Sequence, residues 1–215
     1  SIQGVDVLLP GKLSPAIATM EQQTSALLQR LSESATIAMA RKAREMKEQG
    51  IDVISLSLGE PDFDTPSAMK QAGVDAIKAN DTHYTPVPGT MRLRKAVVHK
   101  FQRDNGLTYT TDQVVVSTGA KQSLANVVLS LVDPGDEVIL PAPFWVSYAE
   151  IVKVAGGVPV VLPTRIEDDY KIQPSTLEAA ITPKTRLVMY SSPCNPSGSV
   201  YTAEEIAGLA EVLKR

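Results

Sequence analysis

Asn195 is where this sequence first offers chemistry. It stands in Ser191–Gly198, read Ser-Ser-Pro-Cys-Asn-Pro-Ser-Gly. Pro193 and Pro196 flank it and fix much of the local backbone. The octapeptide follows an apolar run, Leu187–Tyr190, and precedes a helix start at Thr202. A polar amide is thus held on a stiff turn at the end of a buried strand. In open parallel sheets, ligands lie just outside the carboxyl ends of strands. An immobilised Asn there suits a ligand contact, and an ordinary strand-to-helix loop suits the same residues.

Two further stretches hold the same position relative to a strand. Ser117-Thr118-Gly119-Ala120-Lys121 lies between Val114–Val116 and the helical stretch Gln122–Val132. A helix start there gathers free backbone N–H groups and the positive end of the helix dipole, a setting for phosphate. Gly119 permits close approach. The stretch is neither a P-loop nor a Gly-x-Gly-x-x-Gly fingerprint. Trp145, the only tryptophan, follows Pro141-Ala142-Pro143. It is a core residue or a stacking surface for a flat ring. Gly59 ends the run Ile51–Leu58, as a turn glycine or as a place where backbone approaches a ligand. Tyr84 lies in the rigid loop His83–Gly89, where packing on its own domain is the plainer reading. Cys194 reads as a small packed residue.

The elements that position these residues alternate between helix and strand. Thr36 is a candidate N-cap, or a residue at a ligand mouth, for a helix that reaches Gln49. Gly50 fits its C′ position. Ile51–Leu58 alternates apolar and small polar residues, as a half-buried strand does. Pro66–Ala79 reads as a helix with Thr65 as N-cap and Pro66 at N1. Arg92–Arg103 is another, closed by Asn105-Gly106. From Gln113 onward the pattern becomes strand, loop, helix. Strands are expected at Val114–Val116, Glu137–Leu140, Val158–Leu162 and Arg186–Tyr190. Helices are expected at Gln122–Val132, Trp145–Val154, Ser175–Ala180 and from Thr202, where Thr202 and Glu205 have capping-box spacing. This alternation predicts an α/β fold, a parallel sheet with helices on its faces.

Composition excludes several functions. The 215 residues are 43% apolar and 21% charged, as in ordinary globular chains. A net charge of −3 leaves no basic stripe for nucleic acid. The single cysteine cannot form an internal disulfide, which fits a reducing compartment. No apolar run approaches the roughly 20 residues that span a bilayer. A cytoplasmic location is the expectation.

Five ordered motifs carry a resemblance. Asn195-Pro196-Ser197-Gly198 resembles the Asn-Pro-[Ser/Thr]-Gly motif of class I aminotransferases, the fold type I pyridoxal 5'-phosphate (PLP) enzymes. Leu58–Phe63, Tyr84–Pro86, Ser117–Lys121 and Pro143–Tyr148 are similar to the same family's motifs, in its order. The resemblance covers Leu31 to Arg215 and lies closest to the bacterial aspartate and prephenate aminotransferases. It implies an incomplete PLP-binding large domain at 66–215, an N-terminal segment of the small domain at 31–65 and an extension at 1–30. It implies phosphate cradling by Gly119, Ala120 and Lys121, the last through its backbone N–H. It implies ring stacking by Trp145 and a hydrogen bond from Asn195 to the phenolic oxygen. Tyr84 would reach the cofactor phosphate of a partner subunit in a homodimer. Gly59, Trp145, Asn195 and Thr36 would face the substrate.

The resemblance also implies cis bonds at Ala142–Pro143 and Asn195–Pro196. The aldehyde-binding lysine, the aspartate that pairs with the pyridine nitrogen and the carboxylate-binding arginine would lie beyond Arg215. Asp168-Asp169 is read only as part of a polar loop. The implied activity moves the amino group of L-aspartate or a related amino acid to a 2-oxo acid such as 2-oxoglutarate, with the 215 residues alone inactive. Rival readings are a PLP-dependent C–S lyase or another fold type I enzyme, and a non-catalytic PLP-fold binding or dimerisation fragment.

Overall fold

The computed structural model describes residues 24–56, 59 and 61–215. Residues 1–23 of the expected extension, and Leu58 and Glu60 of the first motif, lie outside the described residues. Eight α-helices are described: α1 (Ala26–Gln29), α2 (Ala35–Glu48), α3 (Ser67–Lys78), α4 (Met91–Asn105), α5 (Ala120–Leu131), α6 (Ser147–Val154), α7 (Pro174–Ala180) and α8 (Ala203–Leu213). Three strands are described: β1 (Glu137–Pro141), β2 (Val158–Leu162) and β3 (Thr185–Val188).

The strands form a parallel sheet in the order β2-β1-β3. β1 is the centre, and its sequence Glu-Val-Ile-Leu-Pro says so. A strand covered on both faces needs apolar residues at consecutive positions rather than alternate ones. Successive side chains point to opposite faces. Val138 and Leu140 therefore join a core with Val128, Val132, Tyr148, Ile151, Val152 and Met189, under α5 and α6. Ile139 joins the opposite core with Ile172, Leu177, Tyr201, Leu209 and Val212, under α7 and α8. The chain runs from β1 through α6 to β2, then returns through α7 to β3 on the far side of β1. The connections leave the carboxyl ends of β1 and β3 on opposite faces, which opens a crevice between them.

Helix ends follow their local chemistry. Gly50, with φ 78°, closes α2. Its N–H donates to the Lys47 carbonyl at 2.9 Å, and Ile51 N–H donates to that of Met46 at 3.1 Å. Thr90 caps α4 by accepting from Leu93 N–H at 3.3 Å. Thr202 and Glu205 form the reciprocal capping box of α8.

Several expectations need correction. Thr36 is not an N-cap, because the helix already begins at Ala35 and Ser34 takes the boundary position. Pro66, with ψ 138°, precedes α3 rather than opening it, and Thr65 is one residue further out. Helix α6 begins at Ser147, two residues after Trp145. Ile51–Leu56, the described part of the first expected strand, is not strand, and neither is Val114–Val116. A strand exists only through its neighbours, and no described strand runs beside either segment. Val116 N–H instead donates to the Pro88 carbonyl at 3.0 Å. Ile54 and Leu56 are 85% and 91% exposed. No helix among the described residues is long and apolar enough to cross a membrane.

Ile139 is fully buried at the centre of the sheet. Ile139→Ala is expected to cost about 2–5 kcal/mol and Ile139→Val about 0.5–1.5 kcal/mol, measured by urea unfolding. Equal, small losses for both would show that this position is loosely packed.

Candidate functional site

Helix α5 opens at Gly119, whose φ of 84° and ψ of 163° lie where side-chain-bearing residues are strained. A Cβ built there meets nothing within 4 Å, so the space in front of the helix is open. Gly119 N–H turns back to the Ser117 carbonyl at 2.8 Å. Thr118 N–H is taken by the Gln122 side-chain oxygen. Ala120 and Lys121 N–H meet no acceptor among the described residues. Two free donors at the positive end of a three-turn helix, beside open space, form a cradle for an anion.

The Lys121 side chain does not point into solvent alone. Its Nζ lies over the Trp145 indole, 5.0 Å from the ring centroid. Such a contact is worth about 0.5–1 kcal/mol at an exposed site. The indole also meets Tyr148 edge-to-face, with centroids 5.7 Å apart. Trp145 is half-buried, so part of its surface stays available.

The turn after β3 is drawn to the same place. Cys194 Sγ approaches the Pro143 carbonyl oxygen at 3.3 Å, which seats the turn against the segment that carries Trp145. Ala142–Pro143 and Asn195–Pro196 are both cis, as the resemblance implies, and Ser192–Pro193 is a third cis bond that it did not raise. Asn195 is exposed. Its backbone N–H donates to Ser191 Oγ at 3.3 Å. Its side-chain amide makes no hydrogen bond among the described residues, so both amide donors are free for a ligand.

The start of α2 borders this region. Ser32 N–H donates to Glu150 Oε2 at 3.0 Å. A cleft of about 330 Å³ lies between Ser32–Ala35 and Val146, Ser147 and Glu150. Thr36 sits one residue further along, half-buried. Burial pushes the Glu150 carboxyl up, but the Lys153 ammonium at 2.8 Å and the Ser32 N–H outweigh it and hold it below the usual glutamate value.

The structure therefore brings together Gly119, Ala120, Lys121, Trp145 and the Asn195 turn, with the start of α2 beside them. It does not bring in Tyr84 or Gly59. Tyr84 is fully exposed, and no atom lies within 4 Å of a Cβ built on Gly59. Sequence reading missed Glu150 and Gln122, since neither has a local signal. It also passed over Asp169, which accepts from Ser199 Oγ at 3.2 Å. A weak signal existed there, because Asp tolerates the left-handed backbone that Asp169 adopts at φ 52°. Among the described residues, no group of three or more His, Cys, Asp or Glu could hold a metal ion.

Comparison with known proteins gives a concordant result. The profile of the family described as aminotransferase class I and II matches residues 51–215. A probable aspartate/prephenate aminotransferase from Rhizobium leguminosarum bv. phaseoli is 50% identical over 188 residues, covering 87% of this chain and 47% of its own length. The crystal structure of an aspartate aminotransferase from Rhizobium meliloti superposes with a TM-score of 0.85 at 46% identity, covering 89% of this chain and 48% of that one. An aspartate aminotransferase from Thermus thermophilus with maleate gives a TM-score of 0.85 at 42% identity, covering 89% and 50%. The chain spans about half the length of the curated relatives it matches.

Two measurements check this geometry. Gly119→Ala is expected to destabilise by about 1–3 kcal/mol through backbone strain alone, since no atom obstructs the added methyl. An unchanged urea midpoint would contradict the left-handed backbone. Glu205, beside the Asn195 turn, is held below its ordinary value of 4.5, chiefly by the Thr202 N–H. A depressed carboxyl contributes stability above its unfolded pKa and loses it as pH falls through the folded one. The melting temperature should therefore drop as pH falls below 4.5, and drop less in Glu205→Gln. Identical acid limbs would show that the Glu205 charge contributes nothing to stability.

Proposed function

This chain belongs to the aminotransferase class I and II family, and on that premise we propose that it is the cofactor-cradling half of a PLP-dependent enzyme that transfers the amino group of L-aspartate, or a related amino acid, to a 2-oxo acid such as 2-oxoglutarate. Its fold is that of fold type I aspartate aminotransferases, whose structures it matches across about half of their length. One observation carries the reading: the helix start at Gly119 and the Asn195 turn both reach the Pro143–Trp145 segment beyond β1, through Lys121 Nζ over the indole and Cys194 Sγ at the Pro143 carbonyl.

The residues fit the group. PLP carries a dianionic phosphate, a flat ring and a phenolic oxygen. The free N–H groups of Ala120 and Lys121, with the α5 dipole behind them, suit the phosphate. Gly119 leaves room for it, since nothing lies within 4 Å of the missing Cβ. The indole of Trp145 suits the ring, through offset stacking worth about 0.5–1.5 kcal/mol beyond area burial. The free amide of Asn195 suits the phenolic oxygen. When bound, PLP supplies an aldehyde to receive the amino group and a ring that draws electrons from the substrate bond being broken.

What this chain contributes is positioning and electrostatics. A hydrogen bond from Asn195 would favour the ionised form of the phenolic oxygen. The α5 start would hold the phosphate, the most highly charged part, and so anchor the group. Trp145 would supply an apolar surface for the ring and keep water from it. Thr36 and Gly59 are proposed to face the substrate with Trp145 and Asn195. The aspartate and prephenate in the relatives' names, and the maleate with the Thermus protein, support a dicarboxylic or related substrate. Tyr84, fully exposed here, is proposed to meet the cofactor phosphate of a partner subunit in a homodimer.

The same proposal places the aldehyde-binding lysine, the aspartate for the pyridine nitrogen and the carboxylate-binding arginine in a second half, for which relatives of about twice this length have room. It assigns 31–65 to the small domain and 66–215 to the large one, after an extension at 1–30. It assigns the protein to the cytoplasm. The 215 residues alone would then not transaminate, and their exposed apolar residues, Ile54 and Leu56 among them, would be covered in the longer protein.

The test uses the full-length protein with PLP, aspartate and 2-oxoglutarate, and separately prephenate as amino acceptor. Turnover is expected, and Asn195→Ala should lower kcat about 10²-fold or more with little change in melting temperature. A lowered melting temperature with unchanged kcat would make Asn195 structural. A specific lysine adduct after borohydride reduction of residues 1–215 with PLP, together with turnover of aspartate by those residues, would show that the catalytic lysine lies in this chain, with Lys121 the first suspect.

A further inference from the structure

The loop after β2 and the turn after β3 meet in a polar cluster that no step of the proposed reaction uses. Asp169 and Tyr170 both adopt left-handed backbone, with φ 52° and 53°. This bends the chain so that Lys171 turns inward, its side chain only 12% exposed. Lys171 Nζ lies 3.1 Å from Asp169 Oδ2 and 3.2 Å from Glu205 Oε2. The Asp169 carboxylate beside it holds the Lys171 ammonium above the ordinary lysine value, and Glu205 adds to this. The other Asp169 oxygen, Oδ1, accepts from Ser199 Oγ at 3.2 Å.

Ser199 closes the turn that carries Asn195. Its carbonyl accepts the Cys194 N–H at 2.9 Å, and Gly198 N–H returns to the Cys194 carbonyl at 2.8 Å. Ser197 Oγ donates to Ser199 Oγ at 3.1 Å. Of residues 191–201, only Ser199 and Tyr201 are buried. Tyr201 is tied to the same loop, since its hydroxyl accepts the Ile172 N–H at 3.0 Å. The exposed Asn195 has no side-chain bond to hold its amide, so the direction of that amide follows the backbone of the closed turn.

We infer that Asp169 is a positioning residue for Asn195: its carboxylate, balanced by Lys171, anchors Ser199 and so fixes the Cys194–Ser199 loop that aims the Asn195 amide. This rests on the reading of Asn195 as the partner of a PLP phenolic oxygen. A hydrogen bond is steep in distance and angle. A turn that rocks loses the bond before it loses its fold.

The test uses the full-length protein reconstituted with PLP and carrying Asp169→Ala, Asp169→Asn or Ser199→Ala, with Asn195→Ala as reference. The readout is the pH midpoint of the bound cofactor's visible absorption. A donor that favours the ionised phenolic oxygen keeps this midpoint low, so losing it moves the midpoint up. Asp169→Ala and Ser199→Ala are expected to move it up, in the direction of Asn195→Ala, by about half a pH unit or more. Asp169→Asn keeps an acceptor for Ser199 and tolerates the left-handed backbone, so it should stay near the wild-type midpoint. A lowered melting temperature with an unmoved midpoint in Asp169→Ala and Ser199→Ala would overturn the inference. If Asp169→Ala does not fold, Ser199→Ala, which keeps the Asp169–Lys171 pair and removes the Ser199 hydroxyl with its bonds to Asp169 and Ser197, decides. If the wild-type protein binds no PLP, the functional reading fails instead. Amide exchange at Cys194 then still tests the anchor, with exchange at least about tenfold faster in Ser199→Ala supporting it and unchanged exchange overturning it.

Discussion

The site depends on the burial of β1 on both faces. Val138 and Leu140 are covered by α5 and α6, and Ile139 by the layer of α7 and α8. Water is excluded from both sides, so every backbone group of β1 must be paired within the sheet. Parallel neighbours on both edges do this, β2 through five matched positions and β3 through a shorter, irregular register. A strand so constrained cannot slip by one residue, because the slip would exchange its two cores. The loop that leaves its carboxyl end therefore starts from a fixed point. Trp145 is four residues beyond that end.

The turn after β3 is held differently. It is mostly exposed and has little apolar surface to bury. Its shape comes from backbone bonds across Cys194–Ser199 and from polar side chains on neighbouring segments. Ser192 Oγ accepts the Tyr201 N–H at 3.0 Å, so the exit of the turn is tied to its entrance. Core packing fixes where the turn begins, and polar bonding fixes what it presents. Orientation of a single amide needs the second kind of control, since apolar contacts are non-directional.

The sequence was most legible where one physical requirement dominates. β1 and β2 show as short apolar runs between turn residues, and both lie where expected, to within one residue. Gly119 was legible as a helix start, which exposes backbone donors, and Asn195 as part of a proline-flanked turn after a strand. Ile51–Leu58 and Val114–Val116 had strand-like composition, yet their described residues are not strand. Alternation reports what a segment would do beside a partner, and it cannot supply the partner. Tyr84 and Gly59 stand apart for a related reason, since their implied roles need groups from elsewhere. The link between Asp169 and Ser199 spans thirty residues and two loops, and no periodicity encodes it.

Glu205 shows how closely these levels are joined. One carboxylate accepts the Thr202 N–H at 2.7 Å, which starts α8, and also faces Lys171 at 3.2 Å, which steadies the loop after β2. The pairing with Lys171 needs the acid ionised, and ionisation strengthens the Thr202 bond. Helix start and loop thus both respond to the charge of Glu205. An exposed capping box and an exposed ion pair each contribute only modestly to stability. Their importance here lies in geometry rather than in total stability. Leu209 and Val212 keep α8 on the sheet whatever the state of Glu205. Glu205 steadies the first turn of that helix together with Thr202 Oγ1, which accepts the Glu205 N–H at 3.2 Å, and residues 191–201 lead directly into it. A structure can in this way keep its core intact while a few polar contacts decide the direction of one side chain.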